Sequence, residues 1–173
     1  ANYIFDEYRD IETIHLITEN MENGRSKKEI MDVVHARSRD NARTPMQWNS
    51  TENAGFTSGD PWLRVNPNYS LINVEKQEND RNSVLNFYRE LVALRSKYRV
   101  FLDGKYRELF PEREDLFVYQ RTTDVEILSV IVNFTDNVIE FPRKILMGHQ
   151  ILSNYPNPPQ ENHLRPFEAM YYI

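Results

Sequence analysis

The stretch from Ser38 to Trp48, SRDNARTPMQW, is the most informative part of this chain. Guanidinium groups suit bidentate hydrogen bonding, carboxamide and carboxylate oxygens accept hydrogen bonds, and an indole offers a flat apolar face. Such a mixture suits a pocket for a neutral polyhydroxylated ligand, or a structural loop whose arginines pair with neighbouring carboxylates. Residue chemistry alone favours the structural loop. The side chains concerned are those of Arg39, Asp40, Asn41, Arg43 and Trp48.

Two helical patterns precede this stretch. Apolar residues at helical spacing end at Asn23-Gly24 and predict a first helix. The sequence SKKE at Ser26–Glu29 is a capping box, in which each side chain accepts a hydrogen bond from a backbone N–H of the first turn. It predicts a second helix running to about Ser38. The residues at helical spacing in the first helix are Ile11, Ile14, Ile17 and Met21, and those expected on the buried face of the second are Ile30, Val33 and Val34.

The strongest helical pattern of the chain follows the stretch and predicts a third helix from about Asn82 to Tyr98. Its positions on one face are Val84, Leu85, Tyr88, Leu91, Val92 and Arg95.

A long connection, Asp40 to Arg81, separates the second and third helices, with three prolines and no sustained period. Connections longer than roughly 15 residues are either functional or disordered. Its aromatic content favours an ordered, functional loop, because free linkers carry little apolar mass. The aromatic residues concerned are Trp48, Phe56, Trp62 and Tyr69.

Short strand patterns separated by turn signals begin after Gly104 and predict about six strands in an antiparallel sandwich. The clearest, ILSVIVNF, places Leu128, Val130, Val132 and Phe134 on one face. The turn TDN then leads into VIEF, which predicts a hairpin between the two segments, and EREDL at Glu112–Leu116 is interpreted as another hairpin turn. The other strand patterns are KYRELF, LFVYQRT, ILMGHQIL and EAMYYI.

Composition excludes several classes of function. The net charge of -5 lacks the basic excess that nucleic-acid binding requires, and the absence of cysteine excludes thiolate chemistry and fits a cytoplasmic location. No apolar run is long enough to span a membrane, and the first residues do not form a signal peptide. The histidines show no metal-ligand spacing and no phosphate-binding glycine loop occurs, so we predict no metal and no cofactor. Four acidic residues are candidates for catalytic groups, but we interpret each as a cap, an ion-pair partner or a surface group: Asp10, Glu12, Asp40 and Asp60.

Three motifs in order carry a family resemblance: EYRDIET at 7–13, SRDNARTPMQW at 38–48 and AGFTSGDPWLRVNPNY at 54–69. Together with NFYRELVALRSKY and LRPFEAMYYI, they closely resemble the C-terminal part of the oligo-1,6-glucosidase branch of glycoside hydrolase family 13. Dextran glucosidases and trehalose-6-phosphate hydrolases belong to the same branch. The one small departure is Asn49, where the family often has aspartate.

The resemblance implies an α+β fragment of a larger fold. Residues 1–100 would be the last helices and the substrate-side loop of a (β/α)8 barrel, and residues 101–173 a small antiparallel β-sandwich domain. The partner of this chain would then be the missing N-terminal portion of the barrel.

The resemblance also implies retaining hydrolysis of terminal α-glucosidic bonds in short oligosaccharides. The catalytic aspartate, glutamate and further aspartate of the family lie upstream, so no residue here inherits a catalytic role and the isolated chain is expected to be inactive. Arg39 matches a residue that hydrogen-bonds the sugar in the innermost subsite. Asp40, Asn41, Arg43 and Trp48 match the same motif and are expected to be loop scaffolding.

An alternative from another class is a non-catalytic family relative that serves as a carbohydrate-binding or assembly module. Three sequons, beginning at Asn49, Asn68 and Asn133, would suit an extracellular module. The complete RDNARTPMQW motif favours the active branch, and we interpret the sequons as chance occurrences.

Overall fold

The computed structural model describes residues 3–157, 159 and 162–173 and divides the chain into two compact units, Ala1–Arg81 and Asn82–Ile173. The first unit contains helices α1 (Ile11–Glu22), α2 (Lys27–Arg37) and α3 (Val74–Asn79). The second contains α4 (Val84–Lys97), α5 (Val100–Asp103) and the strands. This division lies upstream of the change near Val100 predicted from the sequence, because Leu94 and Tyr98 pack with α5 against the sheet.

The first two helices begin where their capping signals predict. The Asp10 carboxylate accepts a hydrogen bond from the Thr13 N–H and caps α1. Ser26 and Glu29 form the predicted capping box at the start of α2, which ends against Ser38. Helix existence was therefore correctly predicted by local signals.

The apolar faces of α1 and α2 are only partly buried. Ile17, Ile30 and Val34 enter a core with Tyr3, Tyr8 and Leu63. The prediction of a buried position is wrong for Val33, which is exposed, and the apolar positions Ile11, Ile14 and Met21 of α1 are exposed as well. Periodicity identifies an apolar stripe, and no described residue covers these four side chains.

Helix α4 begins after its N-cap Ser83 and leaves none of its own residues fully buried. Val84, Tyr88 and Val92, which the pattern places on the apolar face, are exposed. The same physical reason applies, because amphipathicity does not reveal what packs on the stripe.

The long loop is built from three 3-10 turns, at Arg39–Ala42, Glu52–Gly55 and Pro67–Ser70, followed by α3. Three consecutive residues, Asn53, Ala54 and Gly55, adopt positive φ and reverse the chain. The reversal lets the carbonyl of Ala54 accept hydrogen bonds from the N–H groups of Trp48 and Asn49 at 2.9 and 3.1 Å. These bonds fix the path of the loop.

The second unit contains a five-stranded antiparallel sheet in the order β1-β2-β3-β7-β5 and a two-stranded sheet that pairs β4 with β6. The strands are β1 Lys105–Leu109, β2 Leu116–Thr122, β3 Ile127–Asn133, β4 Ile139–Glu140, β5 Gln150–Ser153, β6 His163–Leu164 and β7 Ala169–Tyr172. The predicted hairpin turn at Glu112–Leu116 joins β1 to β2 and is confirmed.

Both faces of the large sheet pack against apolar side chains. On one face, Val118 and Ile131 of the large sheet meet Phe141 and Leu164 in one core cluster. On the other, Leu128, Val130 and Val132 pack with α5, as the alternation predicted. Phe134 follows the last residue of β3 and lies on the same face, with its ring centre 6.1 Å from that of Phe117, the partner of Val132, although its side chain is exposed.

The predicted hairpin between β3 and VIEF is also wrong. The residues of VIEF form only the short strand β4, which pairs with β6. Strand β3 already has β2 along one edge and β7 along the other, so neither edge is free to accept a third strand. The predicted strand ILMGHQIL is likewise shortened to β5, because Gly148 adopts a φ of 78° before it.

A buried ion pair holds the turn between β6 and β7. The carboxylate of Glu168, fully buried, accepts hydrogen bonds from the Arg165 N–H at 2.8 Å and from its Nε at 3.0 Å. The Arg165 guanidinium also lies 4.0 Å from the centre of the Tyr155 ring. Between the pair, Phe167 adopts a φ of 54°.

We predict that Glu168→Ala destabilises the second unit by about 3 kcal/mol, because it removes a fully buried carboxylate that accepts from the Arg165 N–H and from its partly exposed guanidinium. The matched control Asp103→Ala removes an exposed partner of Arg99 and is expected to cost less than about 0.5 kcal/mol. Urea unfolding followed by circular dichroism measures both. Equal losses for the two variants would refute a structural role for the buried pair.

Candidate functional site

The turn that carries Arg39 is positioned by Ser38, the residue at which α2 ends. The Ser38 N–H donates to the Val34 carbonyl, and its hydroxyl accepts from the Asp40 N–H at 3.3 Å. The Thr13 hydroxyl of α1, whose own proton goes to Asp10, accepts a hydrogen bond from the Ser38 hydroxyl at 2.9 Å. The turn Arg39–Ala42 is therefore attached to both helices of the first unit.

Asp40 is the buried centre of this attachment, with 0% of its surface exposed. Its Oδ2 accepts hydrogen bonds from the backbone N–H groups of Arg9 at 2.7 Å and Asp10 at 2.8 Å. Its Oδ1 has no hydrogen-bond partner in the part of the chain that the structure describes and lies 3.9 Å from Nη1 of Arg43. One buried carboxylate thus joins the turn to the segment that enters α1.

Asp10 extends the network. Its carboxylate accepts from the N–H and hydroxyl of Thr13 at 3.1 and 3.0 Å and from Nη1 of Arg43 at 3.1 Å. Burial acts to raise the pKa of Asp10, but the Thr13 hydrogen bonds and the positive charges of Arg43 and Arg39 outweigh it, and the pKa is lowered. Asp10 is therefore ionised at neutral pH and serves as cap and ion-pair partner.

Arg39 points away from this network. Its Nη2 donates to both carboxylate oxygens of Glu12 at 2.8 Å, and the two side chains are 57% and 66% exposed. Its Nε and Nη1 make no hydrogen bond with any residue that the structure describes. Since an arginine offers five N–H donors, most of the donors of Arg39 remain available to a ligand.

The other residues of the motif occupy different positions. The Asn41 side-chain amide donates to the His35 carbonyl at 3.0 Å and holds the turn against the end of α2. Trp48 is about half exposed, and its carbonyl accepts from the Glu75 N–H at 2.9 Å. The structure therefore brings together Arg39, Asp40, Asn41 and Arg43. Among the described residues, no contact of the Trp48 ring with these four residues is present.

A small groove of about 180 Å³ runs beside Arg39 and is lined by residues of α1 and α2. Polar walls come from Glu12, Thr13, Ser38 and Arg39, and apolar walls from Leu16, Val33 and Val34. The arrangement presents a guanidinium and a carboxylate side by side at the surface. Such a pair can donate to and accept from neighbouring hydroxyl groups of one ligand.

Sequence reasoning missed the contributions of Thr13 and Ser38. A signal for Thr13 was present, since Asp10 and Thr13 are spaced as N-cap and N3 residues. Ser38 carried no separate signal, because its contact with Thr13 spans 25 positions.

The sequon at Asn133 falls on a buried residue. Its amide donates to the carbonyls of Asn137 and Arg165 at 2.7 and 2.8 Å, and its side chain is inaccessible in the folded chain. An attached glycan at this position is incompatible with the fold.

Two features are absent from residues 3–157, 159 and 162–173, a metal-binding cluster and a membrane-spanning helix. No three His, Asp or Glu side chains within these ranges lie close enough together to hold a metal ion. Over the same residues, no helix combines the length and the apolar character needed to cross a membrane.

The chain matches the model of the alpha-amylase catalytic domain over residues 7–104. It is 40% identical to the probable oligo-1,6-glucosidase 2 of Bacillus subtilis (strain 168), covering 97% of this chain and 31% of that protein. It is 42% identical to the oligo-1,6-glucosidase of Heyndrickxia coagulans, covering 100% and 32% of the respective chains.

Solved structures give the same result. The trehalose-6-phosphate hydrolase of Bacillus licheniformis superimposes with a TM-score of 0.87 at 33% identity, over 98% of this chain and 32% of that chain. The isomaltulose synthase of Klebsiella sp. LX3 superimposes with a TM-score of 0.89 at 34% identity, over 99% and 33%. The chain thus spans about a third of the length of these relatives.

We predict that Asp40→Ala destabilises the first unit by about 3 kcal/mol, because two backbone N–H groups lose a charged acceptor in a buried position. Glu12→Ala is the matched control, since it removes an exposed carboxylate and is expected to cost less than about 0.5 kcal/mol. Urea unfolding monitored by tryptophan fluorescence reports on both. A loss for Asp40→Ala no larger than that of the control would contradict the proposed central position of this carboxylate.

Proposed function

This chain belongs to the alpha-amylase family, and on that premise we propose that it is the C-terminal portion of an α-glucosidase that hydrolyses terminal α-glucosidic bonds of short oligosaccharides with retention of configuration. The observation that carries the proposal is the Arg39 guanidinium, which is fixed at its backbone and has unused donors at the surface. The names of the relatives, oligo-1,6-glucosidases and a trehalose-6-phosphate hydrolase, support the same class of substrate.

We assign residues 1–100 to the last helices and substrate-side loop of a (β/α)8 barrel and residues 101–173 to an antiparallel β-sandwich domain. The match of the catalytic-domain model, which ends at residue 104, supports the first assignment. The core cluster that joins the two-stranded sheet to one face of the five-stranded sheet supports the second.

Arg39 is assigned as the residue that donates hydrogen bonds to sugar hydroxyls in the intact enzyme. Its pairing with Glu12 is exposed on both sides, and exposed ion pairs contribute less than about 1 kcal/mol, so a sugar can replace or share it. Asp40, Asn41, Arg43 and Trp48 are assigned as scaffold. The hydrogen bonds of Asp40, Asn41 and Arg43 to neighbouring segments support that role.

The catalytic carboxylates are assigned to the polypeptide upstream of this chain. A retaining glycosidase needs two carboxyl groups about 5 Å apart on either side of the scissile bond. The buried carboxylates among the described residues, Asp10, Asp40 and Glu168, all accept hydrogen bonds from backbone N–H groups. They are occupied in holding the fold.

The missing N-terminal portion of the barrel is the partner that we assign to the exposed apolar faces of the helices. Contiguous exposed apolar side chains mark interaction surfaces, and α1 and α4 both carry them. The residues concerned are Ile11, Ile14, Met21, Val84, Tyr88 and Val92. We also assign the enzyme to the cytoplasm, in agreement with a sequence without cysteine.

We predict that residues 1–173 alone do not hydrolyse p-nitrophenyl α-glucoside or isomaltose. The reason is that the two described carboxylates that line the Arg39 groove are engaged, Asp10 by Thr13 and Arg43 and Glu12 by Arg39. Release of p-nitrophenol and of glucose measures the two reactions against buffer. Turnover above buffer, in a preparation free of other glucosidases, would refute the upstream assignment of the catalytic residues.

We predict that Arg39→Ala in the intact enzyme lowers kcat/KM for isomaltose by more than tenfold, equivalent to about 1.4 kcal/mol of transition-state binding. Arg37→Ala is the control, because Arg37 lines the same groove at the end of α2. Steady-state kinetics should show a change of less than about threefold for the control, within the range of a peripheral charge. A loss below tenfold for Arg39→Ala would remove the assigned sugar contact.

A further inference from the structure

A second cleft, of about 530 Å³, lies in the first unit and shares no lining residue with the groove beside Arg39. Its volume falls within the range of small-molecule sites. The lining residues on which its chemistry depends are Arg9, Glu52, Asp60, Trp62 and Arg64.

Trp62 is held in the wall of this cleft by its neighbours. Leu63 and Val65 are 1% and 7% exposed, whereas the Trp62 side chain is 60% exposed. The buried side chains of Leu63 and Val65 anchor the backbone on both sides of Arg64, and the indole of Trp62 is directed to the side opposite the core. A large apolar ring kept in solvent by an anchored backbone is typical of a binding surface.

The positive charges of the cleft are already engaged. Arg64 donates from Nε to Glu7 at 2.6 Å and from Nη2 at 3.1 Å, which forms a two-point ion pair. Nη1 of Arg9 donates to the carbonyls of Asp6 and Tyr8 at 2.7 and 3.2 Å. Arg64 is therefore paired with a carboxylate, whereas Arg9 is held by backbone carbonyls and keeps its positive charge. The three acidic residues that line the cleft, Glu7, Glu52 and Asp60, outnumber the two arginines, and this balance disfavours an anionic ligand.

Two acceptors of the cleft are unengaged. Asp60 and Glu52 are exposed and make no hydrogen bond or ion pair with any residue that the structure describes. Carboxylates are strong acceptors for hydroxyl donors, and their charge disfavours an anion beside them. The cleft therefore combines an aromatic face with free acceptors.

We propose that this cleft is a second saccharide-binding site, in which a neutral sugar ring stacks on Trp62 and donates hydroxyl hydrogen bonds to Asp60 and Glu52. The aromatic face covers the C–H face of the ring, and the carboxylates select for hydroxyls. The site binds saccharide without the Arg39 groove. This proposal rests on the proposed function in one respect only, which is the choice of the sugar used as the probe.

The test uses the complete 173-residue chain, titrated with isomaltose and observed by 15N–1H NMR of the indole N–H groups. The chain has two tryptophans, so Trp48 is an internal control, and Trp48→Phe and Trp62→Phe assign the two signals. The Trp62 signal should shift with saturation and a dissociation constant on the order of 1 to 10 mM, while the Trp48 signal stays in place. Asp60→Asn should weaken binding by about threefold or more, the loss of one exposed charge-assisted hydrogen bond.

Arg39→Ala separates this proposal from the proposed function, since the Trp62 titration should be unchanged in that variant. A Trp62 signal that does not saturate up to about 100 mM isomaltose, a concentration well above the expected constant, overturns the proposal. So does an equal shift of both indole signals, or loss of the Trp62 shift in Arg39→Ala. None of these three results depends on the kinetics of Arg39→Ala in the intact enzyme.

Discussion

The hydrogen bonds from the Arg9 and Asp10 amides to the buried Asp40 carboxylate are the contacts on which the first unit depends. They join segments that lie 30 and 31 positions apart in the sequence, and the carboxylate that accepts them is fully buried. A buried carboxylate without such donors costs several kcal/mol, so the turn and the start of α1 have to form together. Because Asp10 also caps α1, one network sets the direction of that helix and the place where Arg39 emerges.

Adjacent residues of the turn therefore differ in their burial and in the contacts that they make. In a tight 3-10 turn, successive side chains point in different directions, so Asp40 can be buried while Arg39 remains exposed. The structural interpretation of the motif describes Asp40, Asn41 and Arg43, and the ligand-binding interpretation is left to Arg39. The hydrogen bonds of Asp40, Asn41 and Arg43 support the structural interpretation for these residues, and ligand binding stays a prediction for Arg39.

Local signals allowed α1, α2, α4 and most strands to be predicted, because capping and periodicity depend on residues a few positions apart. The short helices α3 and α5 were not predicted. The Ser26 capping box and the alternation of β3 are examples. Strand pairing was not predictable for β4, since its partner β6 lies far along the chain and the edges of β3 were taken by β2 and β7. The stripes of α1 and α4 were recognised, but a stripe contains no information about what covers it.

The candidate site shows the same limit. The motif identified Arg39 as a candidate ligand-binding residue. It did not indicate that Glu12 is the partner of Arg39, because the two residues lie 27 positions apart in the sequence. Contacts between residues so far apart depend on how α1 packs against α2, and local sequence patterns do not reveal that packing.

The two arginine contacts of this turn differ in how easily they are exchanged. Arg43 donates to Asp10, whose side chain is buried and fixed by Thr13, whereas Arg39 donates from one nitrogen to the exposed Glu12. An exposed pair is worth under about 1 kcal/mol, and a hydrogen bond from a charged donor to a ligand hydroxyl is of similar or greater strength. A sugar can therefore redirect the Arg39 side chain without disturbing the backbone of the turn. Replacing the buried contacts would require the turn itself to open. The Arg39 side chain can therefore move while the backbone that carries it stays fixed.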